Sequence, residues 1–347
     1  MEALRSWEPW ATHAGAYAFV VAFGALWGSF ANVCIYRLPQ GLSVVSPGSR
    51  CGACMTPVRW YDNVPIFAYL WLRGRCRDCG AAFSPRYLLV EAVTGALFGV
   101  AWWAAVEASA LWEPFELRLL RFAIYAAFVL LMMVITFIDL DHQLILDKVT
   151  LPAIAVFYGA GLLLERHWSE GLLGALLGYG VVWLIDAVYR MLRGQDGMGL
   201  GDGKLLAVIG ALLGWRGVVV ALFGGAFVGS IVTLGMLAVI RRLPAAMTEP
   251  SPAPAVDGPA AALAGGGQPK VSEAQGGAAS KDPGPAGAPA GVAEGARDPE
   301  DEADGDDAAP SALETPIPFG PFIAFAAVFY LFAEPWVQIS VAFLGRR

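Results

Sequence analysis

The chain has 347 residues, of which 57% are hydrophobic and 15% are charged, whereas a soluble domain carries about 25% charged residues. This composition excludes an ordinary soluble protein and indicates one built for a membrane. The formal net charge of −7 arises in one segment, because residues 243–316 hold 13 acidic and 3 basic side chains, so the acidic balance indicates neither a basic substrate nor a nucleic acid partner.

Eight apolar segments follow one another along the chain. A helix needs about 20 apolar residues to cross a bilayer, and most of the segments approach this length. The sixth is short and contains Gly210 and Gly214, which suits a region lining a wet cavity. We predict an all-α polytopic membrane protein with about eight transmembrane helices. The segments span residues 15–36, 87–107, 119–139, 150–165, 170–190, 204–214, 217–240 and 317–343.

The residues on either side of the first segment predict how the chain is oriented in the membrane. The segment lacks the positively charged start and the cleavage site of an export signal, so we expect a retained helix. The loop 37–86 that follows carries seven arginines against Asp62 and Asp78, and short loops rich in Arg stay in the cytoplasm. Alternation then puts the loop after Asp139 and the loop 190–204 on the same cytoplasmic face. The terminal arginines 346–347 fall on the other face, a mild departure from the rule.

Four cysteines in that loop predict a metal site. Cys51 and Cys54 form one CxxC pair, and Cys76 and Cys79 form a second after 21 intervening residues. Paired knuckles of this kind close a four-thiolate zinc site, which is structural because no coordination position stays open. Disulfides are not expected in a cytoplasmic loop, and redox-active or unmetallated thiols are the alternative. Cys34, within the first helix, is read as a small buried apolar residue.

The stretch between the knuckles is rich in aromatic residues, among them Trp60, Tyr61 and Trp71. Aromatic and apolar residues in an Arg-rich frame fit a small domain lying against the membrane surface. They could instead shape a ligand pocket, but we favour packing. The fold prediction is therefore completed by a small zinc-stapled cytoplasmic domain between the first two transmembrane helices.

Two aspartates at the ends of apolar segments predict catalysis. Asp139 closes the run AIYAAFVLLMMVITFID, and Asp202 lies in GMGLGDGK, directly before another apolar run. An ionisable residue at membrane depth is by default a functional-site hypothesis. Two close carboxylates share one proton, so one can activate a water molecule while the other donates to the scissile carbonyl. We predict an intramembrane aspartyl protease with this pair as its dyad.

Neighbouring residues are assigned supporting roles. Three glycines flank Asp202 and would permit a tight turn and the close approach of a bound peptide. Lys204 could pair with a carboxylate or a lipid phosphate. Asp141 and Asp147 are expected to solvate the loop or to cap a helix beginning near Thr150, although Asp147 could stand near the site. The supporting set is Gly199, Gly201, Gly203, Lys204 and Asp147.

Other polar residues within the apolar segments are read as packing residues. Asp186 and Glu91 are expected to pack within the bundle, and Asn32 to form a hydrogen bond between helices. His142 lies near the site, but one imidazole beside a loop carries little weight. Residues 243–316 are rich in Pro, Ala and Gly with an acidic cluster, which predicts a disordered cytoplasmic insert.

Several of these motifs together resemble the bifunctional type IV prepilin peptidase / N-methyltransferases. The resemblance implies cleavage of the short basic leader of type IV prepilins or type II secretion pseudopilins at the cytoplasmic membrane face, followed by methylation of the new N terminus with S-adenosylmethionine. It places the catalytic pair on Asp139 and Asp202. The motifs run in family order: GSFANVCIYRLP, SRCGAC, RWYDNVPIFAYLWLRGRCRDCG, RYLLVEAVTG, FIDLDHQLILDKVTLP, GMGLGDGKLLAVIGALLG and IPFGPFIAFAA.

The same resemblance implies a location, binding partners and a division of the chain into parts. It implies a multi-pass protein of the bacterial cytoplasmic (inner) membrane, with prepilins or pseudopilins and membrane lipid as partners, and zinc on the four cysteines. The cofactor-binding residues for S-adenosylmethionine are unknown. The parts are the N terminus and first helix (1–36), a zinc domain linked to methyl transfer (37–86), the peptidase core (87–242), the insert (243–316) and the last helix (317–347).

Two features depart from the family pattern, and three other functions stay open. Leu146 stands where the family commonly has proline, and the insert 243–316 is unusual; we expect activity without it. Some relatives are peptidases only, but they tend to lack the cysteine loop. A cation transporter should show internal repeats and acids near mid-membrane, whereas these aspartates lie at a boundary. A degenerate scaffold is disfavoured because both aspartates and all four cysteines are present.

Overall fold

The computed structural model describes residues 14–108, 113–194, 199–240 and 318–344, and the side chains within these ranges except those of 239–240 and 335–344. The predicted disordered insert 243–316 and the arginines at 346–347 lie outside the described residues. Within the described ranges the chain is helical, apart from the cysteine loop, where two isolated bridges join Arg50 to Pro57 and Arg75 to Ala82.

The described residues form eight α-helices, which follow in chain order. A 3₁₀ turn at Trp60–Asn63 precedes the short second helix, and a π turn at Trp103–Glu107 extends the third. The helices are α1 (Ala14–Arg37), α2 (Phe67–Trp71), α3 (Pro85–Trp102), α4 (Phe115–His142), α5 (Asp147–Leu163), α6 (Trp168–Arg193), α7 (Leu200–Ile240) and α8 (Gly320–Leu344).

The helix ends follow from local sequence signals. Ser84 caps α3 by accepting a hydrogen bond from the Arg86 amide, and Pro85 stands at the first position, where its missing N–H costs nothing. Helix α4 ends at Gln143, and α6 ends at Gly194, both in the left-handed conformation that stops a helix. The end of α4 leaves Asp139 in its last turn.

Five helices are long and apolar enough to cross a membrane within the described part of the chain. They are α1, α3 with its π turn, α4, α6 and α7 up to residue 238. Helix α5 has 17 residues, and the described apolar part of α8 ends at Glu334. The chain is therefore an all-α protein with several candidate membrane spans and a cysteine-bearing domain between the first two.

The sixth and seventh apolar segments form two helical parts of one run, which meet at a kink without an intervening loop. The run, α7, bends at Gly214, whose φ of 71° and ψ of −175° are not helical. A positive φ favours glycine because it has no Cβ to clash with the backbone. The chain can therefore change direction at this point without a loop.

Close glycine contacts bring the helices of the core together. Helix α6 packs most extensively on α7, where Gly174 faces Gly210, and Gly178 faces the backbone of Leu206. Small residues let two backbones approach closely, which favours packing between membrane helices. Helix α8 packs on α7 and α4, so it bridges the two helices that carry the candidate catalytic aspartates.

Candidate active site and metal centre

Asp139 lies in the last turn of α4 and is 5% exposed. Its Oδ2 atom is buried and has no hydrogen-bond partner of normal geometry among the described residues, although the Gly320 backbone interacts with the carboxylate. Buried polar atoms normally have a partner. An unsatisfied carboxylate oxygen is therefore suited to receive a proton or a water molecule during a reaction.

The first residue of α8 lies directly against this carboxylate. A Cβ atom added at Gly320 would stand 2.5 Å from Asp139 Oδ2 and 3.6 Å from the Cδ1 of Ile145. Only glycine leaves room for the carboxylate at this point. Sequence reasoning did not single out Gly320; the motif IPFGPFIAFAA contained it, but nothing local showed that it would meet a residue in α4.

Asp202 approaches the same place from α7. It lies in the first turn of that helix, is partly exposed, and donates its backbone N–H to the Gly199 carbonyl at 3.1 Å. Its carboxylate interacts electrostatically with that of Asp139. Ile145 connects the two sides, since a Cβ at Gly201 would lie 3.0 Å from the Cβ of Ile145, which also neighbours Gly320.

The glycines around Asp202 have different surroundings. Gly203 is buried, and a Cβ there would lie 3.2 Å from the Cβ of Val182 in α6. A Cβ at Gly199, in contrast, would meet nothing within 4 Å. Close packing therefore limits the space at 201 and at 203, more tightly at 201, but it does not constrain 199.

Lys204 and Asp147 form an ion pair between the starts of α7 and α5. Asp147 is the first residue of α5, three residues earlier than the predicted start near Thr150. The pair ties together the loop after Asp139 and the turn that carries Asp202. Both residues of this supporting pair thus lie beside the site.

The Arg86 side chain contacts the end of α4 on both sides of Asp139. Its guanidinium lies 2.5 Å from Asp141 Oδ1, donates to the Phe137 carbonyl at 3.1 Å, and stands 4.9 Å from the centroid of the Phe137 ring. Asp141 therefore binds an arginine, whereas the sequence suggested a role in solvating the loop. Because Arg86 is the second residue of α3, it connects the end of the cysteine domain to the aspartate-bearing turn.

The four cysteines of the loop converge. Their sulfur atoms all lie within 4.8 Å of one another, and the sulfurs of Cys51 and Cys79 are 3.8 Å apart. Zinc–sulfur bonds of about 2.3 Å in a tetrahedron place the sulfurs about 3.8 Å apart. The donor set, its number and its spacing therefore fit a four-thiolate metal ion.

The two knuckles repeat one backbone design. The N–H of Met55 donates to the Cys51 carbonyl, and the N–H of Gly80 to that of Cys76. Met55 and Gly80 both have positive φ, 59° and 71°. This repetition turns the thiols of each pair toward one centre, as a metal knuckle requires.

Polar neighbours shift the pKa values of two side chains in the cysteine domain. Hydrogen bonding with Thr56 lowers the pKa of the Cys54 thiol to about 6, so this thiol ionises more readily than a free one. The Arg77 guanidinium, 2.6 Å from Asp62, holds the pKa of that carboxyl below its usual range. These interactions stabilise a domain that has few buried apolar side chains.

Two acidic residues that the sequence assigned to packing have polar partners. Glu91, buried in α3, accepts a hydrogen bond at 2.8 Å from the backbone N–H of Ile66 in the cysteine domain. Asp186, buried in α6, pairs with Arg190 one turn later. Glu91 thus fixes the cysteine domain to a candidate membrane span.

A second ionic contact joins elements far apart in sequence. Arg166, between α5 and α6, donates to both oxygens of Glu334 in α8 at 2.7 and 2.9 Å. Glu334 is 5% exposed. This contact was not predicted, because 168 residues separate its partners and no local pattern links them. It holds α8 near its middle, away from Gly320.

Comparisons with known proteins find matches to both halves of the chain. The model of the bacterial peptidase A24 N-terminal domain matches residues 22–105, and that of the type IV leader peptidase family matches residues 126–234. No solved structure matches the chain.

Three curated relatives carry the name prepilin leader peptidase/N-methyltransferase. The one from Aeromonas salmonicida is 33% identical over 251 residues, covering 64% of this chain and 81% of the relative. The one from Klebsiella pneumoniae is 39% identical over 210 residues, with 57% and 86% covered. The one from Neisseria gonorrhoeae is 34% identical over 254 residues, with 64% and 82% covered.

Proposed function

This chain belongs to the type IV leader peptidase family, and we propose that it cleaves the leaders of type IV prepilins or type II secretion pseudopilins with an aspartyl dyad and then methylates the new N terminus. The chain is a peptidase of that family. The dyad, the substrates named here and the order of the two reactions are the proposal.

One observation carries the assignment of the dyad. Asp139 and Asp202 come from different helices, α4 and α7, and their carboxylates interact electrostatically where α8 begins. Each lies in a terminal turn of a candidate membrane span. Placing two acidic side chains together at a membrane boundary costs free energy. A reaction that needs both carboxyl groups explains why the fold brings them together.

The chemistry follows from one proton shared between the two carboxylates. The ionised carboxylate takes a proton from a water molecule, which attacks the scissile carbonyl carbon. The protonated carboxyl donates to the carbonyl oxygen, and a proton then passes to the leaving amine. Because the pair titrates as a unit, the base is not assigned to one residue. One carboxyl of the pair, that of Asp139, has a buried Oδ2 atom, whereas Asp202 is partly exposed. The pair therefore offers one sheltered and one accessible carboxyl group for proton transfer.

Access of the substrate is consistent with this arrangement. A leader that bears basic residues before an apolar helix would lie with its cleavage point at the membrane boundary. The dyad lies at the ends of spans rather than at their centres. We therefore propose that the catalytic face and the cysteine domain lie on the cytoplasmic side of the bacterial inner membrane, with about eight helices in the membrane.

The cysteine domain is proposed to hold zinc and to serve methyl transfer. Cys51, Cys54, Cys76 and Cys79 would be the ligands, and the ion would supply folding stability rather than catalysis. S-adenosylmethionine would supply the methyl group. No residue is assigned to its binding. The proposed division keeps 37–86 as the zinc domain, 87–242 as the peptidase core, 243–316 as the insert, and 1–36 and 317–347 as the flanking parts.

A cleavage assay in membranes with a model prepilin tests the dyad. Substituting Asp139→Ala or Asp202→Ala should reduce the cleavage rate by about 10²–10⁴-fold or more, the range of acid–base contributions. Glu116→Ala is the matched control, because Glu116 is a carboxylate in the first turn of the same helix as Asp139. Cleavage by both dyad variants at the wild-type rate would refute the assignment.

A further inference from the structure

The short helix α2 of the cysteine domain has its apolar side chains on the outside. Phe67, Leu70 and Trp71 are 63%, 61% and 70% exposed, whereas Ala68 is buried. The three exposed residues occupy positions i, i+3 and i+4, so they share one face of the helix. The rings of Phe67 and Trp71 stack at 6.0 Å. We call these three side chains the outer face of α2.

This arrangement is the reverse of a helix in water, whose apolar side chains turn toward the core. The inward side carries Ala68 and Tyr69, and the Tyr69 hydroxyl donates to the Phe83 carbonyl at 3.3 Å. The fold of the domain therefore uses the small and polar residues of α2 and leaves the large apolar ones for contact with something outside it.

A hydrogen bond sets the level of α2 along the membrane-spanning helix α3. Ile66, which precedes α2, donates its N–H to Glu91 Oε2 at 2.8 Å. Glu91 stands six residues after the start of α3, or about 9 Å along it. Since α3 and its π turn form a candidate span, α2 begins beside the second turn of that span rather than beyond its end.

The surface of the span at this level is also apolar and exposed. Tyr87 and Leu89, in the first turns of α3, are 44% and 53% exposed. In a membrane-spanning helix, such surface is covered by lipid. The candidate span therefore presents exposed apolar surface in the turns where Ile66 meets it, and a bilayer would cover that surface.

Two arginines follow α2 directly. The side chains of Arg73 and Arg75 are exposed, and neither has an ion-pair partner in the described ranges. Aromatic residues with adjacent arginines are typical of the boundary between lipid tails and headgroups. The arginines are suited to anionic headgroups.

We propose that α2 is an interfacial anchor: the outer face enters the leaflet next to the cysteine domain, and Arg73 and Arg75 meet anionic headgroups there. Lipid covers the outer face of α2 in this arrangement. The anchor, together with Glu91, holds the cysteine domain against the membrane. This inference does not depend on the peptidase assignment, since it rests on exposure, on the level of Ile66 and on charge.

Photo-crosslinking of the full-length protein tests the anchor. Phe67 or Trp71 is replaced by p-benzoylphenylalanine, and the zinc-loaded protein is reconstituted in vesicles of phosphatidylethanolamine and phosphatidylglycerol. Met55 is the matched control site, because it is a large apolar residue of the same domain, 61% exposed, and lies in a knuckle outside α2. Mass spectrometry of the irradiated protein reports lipid adducts, and zinc per chain reports folding.

Lipid adducts should form at 67 and 71 at least about fivefold more than at 55, because only the outer face enters the leaflet. Equal lipid labelling at the three sites, or no lipid labelling at 67 and 71, overturns the proposal. So does preferential crosslinking of these positions to an added prepilin, which would make the face a substrate-docking surface.

The arginines are tested in the same system. Arg73→Gln with Arg75→Gln should lower the ratio of phosphatidylglycerol to phosphatidylethanolamine adducts at position 71 toward the bulk ratio of the vesicle. Arg59→Gln is the control, because Arg59 is an exposed arginine of the same domain that pairs with Asp78. An unchanged ratio in the double variant overturns the headgroup assignment.

Discussion

The cysteine domain and the helical core around the dyad are stabilised in different ways. In the core, nearly every side chain from Leu205 to Leu213 is buried, and tight glycine contacts close the helices on each other. In the cysteine domain, Cys51, Ala68 and Cys76 are the buried residues of apolar type, while most aromatic side chains are exposed. A domain of this size cannot bury enough apolar surface to fold by packing alone. We propose that it depends on a bound metal ion, with ion pairs adding to its stability.

The two regions meet at Arg86. This residue begins the helix that leaves the cysteine domain, and it binds both sides of the aspartate-bearing turn. A change in the cysteine domain can therefore reach the dyad through one side chain. This difference predicts that a substitution in one region impairs the activity of that region alone. A substitution at Arg86, where the regions join, should have a smaller effect.

Removing a metal ligand should have the largest effect, and it should be confined to one region. Cys51→Ser should reduce bound zinc from about one ion per chain to near zero and abolish methylation, because metal binding supplies the folding free energy of the domain. Cleavage should fall by about tenfold or less, equivalent to about 1.4 kcal/mol, through the loss of order at Arg86. Metal analysis and mass spectrometry of the product measure these effects.

Cys34→Ala is the control for this substitution, because Cys34 is a buried thiol of α1 outside the cluster. It should leave zinc content and methylation unchanged. Full zinc content in the Cys51 variant would contradict the four-thiolate site.

Gly320→Ala should give the next largest effect, this time in the core. The added Cβ would stand 2.5 Å from Asp139 Oδ2, so either the carboxylate or the start of α8 must move. A displacement of about 1 Å at a catalytic group can cost about 100-fold in rate. We expect a loss of this size in cleavage, with zinc content unchanged.

Gly180→Ala is the matched control, since a Cβ at this helical glycine would meet nothing within 4 Å. It should cleave at the wild-type rate. Equal activity of the Gly320 and Gly180 variants would show that α8 does not confine the Asp139 carboxylate.

Arg86→Gln tests the junction and should have an intermediate effect. It removes a charged contact to Asp141 and a hydrogen bond to the Phe137 carbonyl. Hydrogen bonds to charged groups contribute about 1.5–3 kcal/mol, and the bond is partly exposed, so we expect about a tenfold loss in kcat with little change in KM. Arg86→Lys should recover part of it.

Arg59→Gln controls for the loss of an arginine from the same loop. Its ion pair with Asp78 is exposed and joins two residues of the cysteine loop. If Arg86→Gln raises KM and leaves kcat unchanged, Arg86 acts on substrate binding rather than on the position of Asp139.

Arg77→Gln should have the smallest effect. Its pair with Asp62 is partly exposed, so we expect zinc loss to a chelator to accelerate by about twofold, with the difference screened at about 1 M salt. Because the pKa of Asp62 is held below its usual range, the pair contributes above the ordinary aspartate pKa and is lost as pH falls through the lowered value. A salt-independent difference would contradict an electrostatic origin.

The parts predicted from the sequence are those with a local pattern. The CxxC spacing predicted the cluster of four cysteines, and the apolar run before Asp139 and the GLGD turn marked the acidic pair before any contact was known. Interactions that depend on the tertiary fold left no local pattern. Gly320 meets Asp139 from the far end of the chain, Arg86 and Asp141 are 55 residues apart, and Glu334 binds Arg166 across 168 residues. The predicted division of residues 204–240 near Gly214 also had a local signal, and the structure has a kink at that glycine, whose φ is positive.

One measurement tests the separation of the two regions and the dyad together. Wild type, Asp139→Asn and Asp202→Asn are each given, in one membrane preparation, an intact prepilin and an isotope-labelled pilin already lacking its leader, with S-adenosylmethionine present. Mass spectrometry follows leader removal and the gain of about 14 Da for one methyl group on each substrate. The account predicts that both variants keep zinc and methylate the pre-cleaved pilin, yet leave the intact prepilin uncut. Continued cleavage by both variants would contradict the dyad, and loss of methylation of the pre-cleaved pilin would contradict the assignment of the two reactions to two regions.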